Sequence, residues 1–108
     1  YDESKATKNV IDRDFNLFTR EGNLDALLEI VTSSFDDHTT LLRDIQHPTL
    51  ILWGANDAWI PVEHAYQFEE HLPNATLKIY PKVGHIPMEE IPEISVKDVL
   101  QFLQVEAV

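Results

Sequence analysis

The chain has 108 residues, 44% hydrophobic and 25% charged, with a formal net charge of −11 and no cysteine. That composition fits one small globular domain or a piece of a larger one. It excludes a disulfide scaffold, a Cys-based zinc site and a thiol nucleophile, and the spread of negative charge disfavours nucleic acid and anionic membranes as partners.

No apolar run approaches the roughly 20 residues that span a bilayer, and no signal-peptide pattern opens the sequence, so a soluble, cytoplasmic protein is expected. Tyr1 stands at the start and Met88 is the only methionine, which reads as an incomplete translation product, either a processed chain or part of something longer. No internal repeat or low-complexity stretch occurs.

The first region reads as helical. Ile11, Phe15 and Phe18, with Val10 and Leu17 beside them, fall on one helical face, with Thr7 as the N-cap and Gly22 as the stop. Asn23 is positioned to cap a second helix, in which Leu24, Leu27, Leu28 and Val31 recur at i, i+3, i+4 and i+7. Ser33 to Thr40 is polar and loop-like, and a short helical turn over Leu41 to Ile45 leads to Pro48.

Past Gln46-His47-Pro48 the period changes. Thr49-Leu50-Ile51-Leu52-Trp53 is an unbroken apolar run, the pattern of a strand buried on both faces. Gly54 to Asp57 forms a turn, and Pro61 suits the first turn of a helix with Ala65, Phe68 and Leu72 on its buried side. A second strand alternates over Thr76 to Tyr80, with Leu77 and Ile79 on one side and Thr76, Lys78 and Tyr80 on the other. Pro81 to Pro87 reads as a loop, and Pro92 opens a last helix whose apolar face is Val96, Val99, Leu100 and Leu103.

Strand, helix, strand, helix is a βαβα unit with parallel strands. In such a sheet, ligands bind beyond the carboxyl ends of the strands. Asp57 follows the first strand and His85 the second, 28 residues later. If the strands are neighbours, one sheet edge receives a carboxylate and an imidazole, the pairing that fixes a histidine tautomer for general-base work. Taken singly, Asp57 could be a turn residue and His85 a loop histidine.

The segment Pro48 to Pro61 resembles the acid-bearing segment of α/β-hydrolases, P-x-L-x-x-x-G-x-x-D-x-x-x-P. Gly84 to Pro92 resembles the histidine segment of the same family, G-H-x-x-x-x-E-x-P. The family's chain order of nucleophile, acid and histidine is kept for the last two. The resemblance implies an α/β fold class: the C-terminal part of an α/β-hydrolase fold, in which the end of a helical cap is followed by the βαβα unit. It divides the chain into residues 1–44, the end of the cap, and residues 45–108, the C-terminal part of the core.

The resemblance also implies roles. Asp57 would orient His85, and His85 would take the nucleophile's proton and later activate water. Trp59, close after Asp57, is a candidate for the substrate pocket, with packing under the cap as the alternative. Glu89 and Glu90 stand at a helix start and read as favourable to its dipole. His64 and His71 are seven residues apart and read as surface histidines, as does His38 in its polar loop. No metal or organic cofactor is implied.

No G-x-S-x-G elbow occurs, and Ser4, Ser33, Ser34 and Ser95 lack the flanking glycines. The family uses both Ser and Asp as nucleophile, so the identity of the missing one stays open. The expected parent is a hydrolase acting on a small organic ester or related carbonyl compound, with this chain inactive alone. Its expected partners are a small-molecule substrate and either the missing N-terminal half of the fold or a second copy of the chain. The alternative is a catalytically inert hydrolase half that serves as a dimerising interaction module.

Overall fold

The computed structural model describes residues 1–106. They form two compact units, one of Glu3–Asp37 and one of Tyr1–Asp2 with the chain from His38 onward.

The smaller unit is a pair of helices, α1 (Lys8–Phe18) and α2 (Asn23–Thr32). Thr7 caps α1 as expected, its hydroxyl accepting from Val10 N at 3.4 Å. The turn between the helices differs from expectation. Thr19 closes α1, and Gly22 rather than Asn23 takes the N-cap position of α2, at φ 83°. That left-handed backbone is open to glycine at little cost. Asn23 instead begins the helix and donates from Nδ2 to Leu17 O at 2.6 Å, beside the longer bond from Arg20 N at 3.4 Å, which fastens the turn to the end of α1. Leu17, Phe18, Ala26, Leu27 and Ile30 line an apolar hollow of about 370 Å³ on this pair.

The larger unit begins with a 3₁₀ turn over Thr39–Asp44 and continues through β1 (Thr49–Gly54), α3 (Glu63–His71), β2 (Ala75–Tyr80), α4 (Pro87–Glu90) and α5 (Pro92–Glu106). The two strands pair in parallel, in a register that runs from Thr49 opposite Ala75 to Gly54 opposite Tyr80. Both strands therefore deliver the chain that follows them to the same edge of the sheet.

Alternation assigns each face of the sheet its cover. Ile51 and Trp53 on β1 share a side with Ala75, Leu77 and Ile79 on β2, and these pack with Ala65, Val62, Leu42 and Leu72. The core sits there, with Ala65 fully enclosed because a larger side chain would hold α3 away from the strands. Leu72 is buried from just past the helix end rather than from within α3. Phe68 packs its ring against Trp53 at 6.2 Å between centroids.

The opposite face is covered by α5, and one expectation changes there. Tyr80 is buried, and its hydroxyl donates to Asp98 Oδ2 at 2.7 Å, with Lys78 Nζ 3.6 Å from the other oxygen. The inward side of α5 is accordingly Ser95, Asp98, Val99 and Phe102, while Val96, Leu100 and Leu103 are exposed. A phenol hydroxyl taken out of water requires an acceptor. Asp98 lies on the side of α5 that meets Tyr80, and its most apolar stripe lies elsewhere.

Candidate active site

The geometry of the site begins at Gly54, the last residue of β1. A β-carbon at this position would lie 2.0 Å from Gly84 O and 2.4 Å from Val83 O. The absence of a side chain allows the loop after β2 to close against the end of β1. Further backbone bonds fasten it: Ala55 N donates to Tyr80 O at 2.8 Å and Asn56 N to Val83 O at 2.9 Å. Asn56 Oδ1 accepts from Lys82 N at 2.9 Å, where Lys82 turns the chain at φ 58°. The loops after the two strands are thereby joined along their length.

Asp57 and His85 meet across this seam. Asp57 Oδ2 lies 2.8 Å from His85 Nδ1, and Asp57 Oδ1 accepts from Trp59 N at 2.9 Å and Ile60 N at 3.0 Å. The carboxylate is 3% exposed, against 42% for the imidazole. Burial pushes the Asp57 carboxyl up, but the hydrogen bonds from Ile60, His85 and Trp59 and the charge of His85 outweigh it and leave Asp57 below the ordinary aspartate value of 3.8. An ionised Asp57 holds the proton on Nδ1 and turns the Nε2 lone pair outward. Nε2 has no hydrogen-bond partner among the described residues. A shallow hollow of about 110 Å³ lies beside the pair, lined by Leu52, Trp53, Gly54, Asp57 and His85.

Trp59 stands at the rim. Its indole stacks on His85 with ring centroids 5.4 Å apart and planes at 27°, and it is 80% exposed. Trp53, by contrast, belongs to the core side of β1, and its indole N–H donates to Ile60 O at 3.2 Å. That bond ties the strand to the segment carrying Trp59.

Glu90 corrects the sequence reading of the acidic pair at the helix start. It is 7% exposed, and its Oε1 accepts from Gly84 N at 2.8 Å, with a longer contact from Asp2 N to Oε2 at 3.4 Å. The carboxylate fixes the residue immediately before His85, a placement that α4 makes possible by folding the chain back within one turn. The signal in the sequence was the fixed spacing of Glu90 from His85 in the histidine segment.

Other candidates have local partners. His71 Nδ1 lies 2.7 Å from Gln67 O, one turn away on its own helix. Ser95 is buried on α5 with its hydroxyl toward Pro92 O at 3.3 Å, and Ser33 Oγ donates to Glu29 O. Among the described residues, no group of three or more His, Cys, Asp or Glu could hold a metal ion, and no helix is long and apolar enough to cross a membrane.

A family model described as the alpha/beta hydrolase fold matches residues 7–92. The chain belongs to this family.

Members similar to it include a 2-hydroxy-6-oxononadienedioate/2-hydroxy-6-oxononatrienedioate hydrolase of Pseudomonas putida, 33% identical over 96% of this chain and 38% of that protein. A pimeloyl-[acyl-carrier protein] methyl ester esterase of Nitrosomonas europaea is 36% identical over 65% of this chain and 27% of its own length. Among solved structures, MGS-M2, an alpha/beta hydrolase enzyme from a deep-sea metagenome library, superposes with a TM-score of 0.76 at 28% identity, over 94% of this chain and 38% of that one. The alpha/beta hydrolase chain described here thus spans 38% of the length of the Pseudomonas relative, and its two-stranded sheet with flanking helices is a part of the family fold.

Proposed function

We propose that Asp57 and His85 are the acid and the histidine of a nucleophile–histidine–acid triad that hydrolyses a small organic ester or related carbonyl compound. The observation that carries this reading is the 2.8 Å contact of His85 Nδ1 with a buried carboxylate, which leaves Nε2 open to accept a proton. In such a triad Nε2 takes the proton of the attacking group, the carboxylate stabilises the imidazolium, and the proton then passes to the leaving group. In the second half of the reaction the same nitrogen activates water. Both named relatives, a hydrolase of an oxo-dioate and a methyl ester esterase, act on carbonyl compounds, which supports the substrate class.

The nucleophile and the oxyanion donors come from outside these 108 residues, because no G-x-S-x-G elbow is present in them. Residues 1–44 belong to the end of a cap in this reading, and Trp59 forms part of the substrate wall. The test is intact mass of the full-length protein before and after a fluorophosphonate, which reacts with activated serine. Labelling that disappears in His85→Ala supports the triad. Absence of labelling and of ester turnover, in a protein that self-associates through this chain, would instead support an interaction module.

A further inference from the structure

We propose that Trp59 is a positioning residue for His85: its indole covers one face of the imidazole and limits the directions in which Nε2 can point. The inference rests on the triad reading above, yet its first test requires no turnover.

Two contacts define the imidazole. Asp57 Oδ2 grips it at Nδ1, in the plane of the ring. One bond at one edge leaves the ring free to rock about that bond. The indole of Trp59 closes one face at 5.4 Å and 27°. The placement of the indole is set by the same carboxylate, since Asp57 Oδ1 accepts from Trp59 N at 2.9 Å. One aspartate therefore holds the imidazole by its side chain and the stacking residue by its backbone.

Held at Nδ1 by Asp57 and covered on one face by Trp59, the imidazole keeps Nε2 in one direction. A fixed direction is what proton transfer to and from a nucleophile requires.

The experiment is NMR of the histidine rings of the full-length protein, with His85 assigned by the signal lost in His85→Gln. Stacking displaces the His85 ring protons upfield. In Trp59→Leu the displacement is expected to vanish, whereas Trp59→Phe retains most of it. Turnover of Trp59→Leu is expected to lose kcat more than it raises KM. Unchanged His85 ring shifts in Trp59→Leu would overturn the proposal, as would a variant altered only in KM. If the rings respond as expected while His85→Ala turns over ester as fast as the parent, the stack stands and the triad reading fails.

Discussion

Gly54 and Gly84 lie back to back where β1 ends, so close that a β-carbon on Gly54 would stand 2.0 Å from the Gly84 carbonyl oxygen. This contact sets the distance between the two loops and hence between Asp57 and His85. The atoms opposed to Gly54 are backbone, which cannot swing aside as a side chain can. Gly54→Ala is expected to push the Val83–His85 segment outward, destabilise the protein by roughly 1–3 kcal/mol and break the Asp57–His85 hydrogen bond. Urea unfolding gives the first effect, and loss of the downfield Nδ1 proton signal of His85 gives the second.

Glu90 provides a second control on the same loop. Removing its carboxylate in Glu90→Ala leaves the buried Gly84 N–H without its acceptor, at a cost of roughly 1–3 kcal/mol. Glu90→Gln keeps an oxygen in place and is expected to recover most of the loss. Unfolding midpoints of the three proteins compare them, and an alanine variant as stable as the parent would contradict the role assigned to this contact.

Asp57 links stability to pH. Its carboxyl is held below 3.8 in the folded protein, so the folded state binds that proton less readily than the unfolded state does. The stabilisation is fully present above the unfolded value and is lost as pH falls through the folded one. Stability curves of the parent and of Asp57→Asn should accordingly converge as pH drops below about 4, the unfolded aspartate range, and run parallel at neutral pH. A constant difference down through the acid range would show that Asp57 gains nothing from its donors.

Tyr80 behaves oppositely. Burial, the hydrogen bond to Asp98 and the charge of Asp98 all push its phenol above the ordinary value of 10.0. The stability this confers is present below that value and disappears as pH rises through the raised one. Tyr80→Phe is expected to cost roughly 1–3 kcal/mol near neutrality and to remove the latest step from the alkaline absorbance titration of the phenols.

Much of this was legible in the sequence, and the residues show why. The apolar run before Trp53 and the alternation before Tyr80 mark strands because neighbouring side chains in a strand face opposite sides. Asp57 and His85 then follow each strand at a fixed offset, so parallel pairing alone brings them to one edge. The apolar stripe of α5 misled: Val96, Leu100 and Leu103 are exposed in a chain that spans 38% of its Pseudomonas relative, and helical spacing alone does not say which side meets the sheet. Glu90 was read only as favourable to a helix dipole, since its partner, the buried Gly84 N, is a backbone donor that the sequence does not mark. The stack of Trp59 on His85 joins residues 26 positions apart by contact alone, and no local spacing announces it.

The central claim is that His85, oriented by Asp57, acts as the base of a hydrolase. The most direct measurement is kcat/KM of the full-length protein and of His85→Ala on a short-chain p-nitrophenyl ester. A loss of at least about a thousandfold is expected in the variant, measured under conditions where the variant remains folded. A His85→Ala protein that hydrolyses the ester within tenfold of the parent would contradict it.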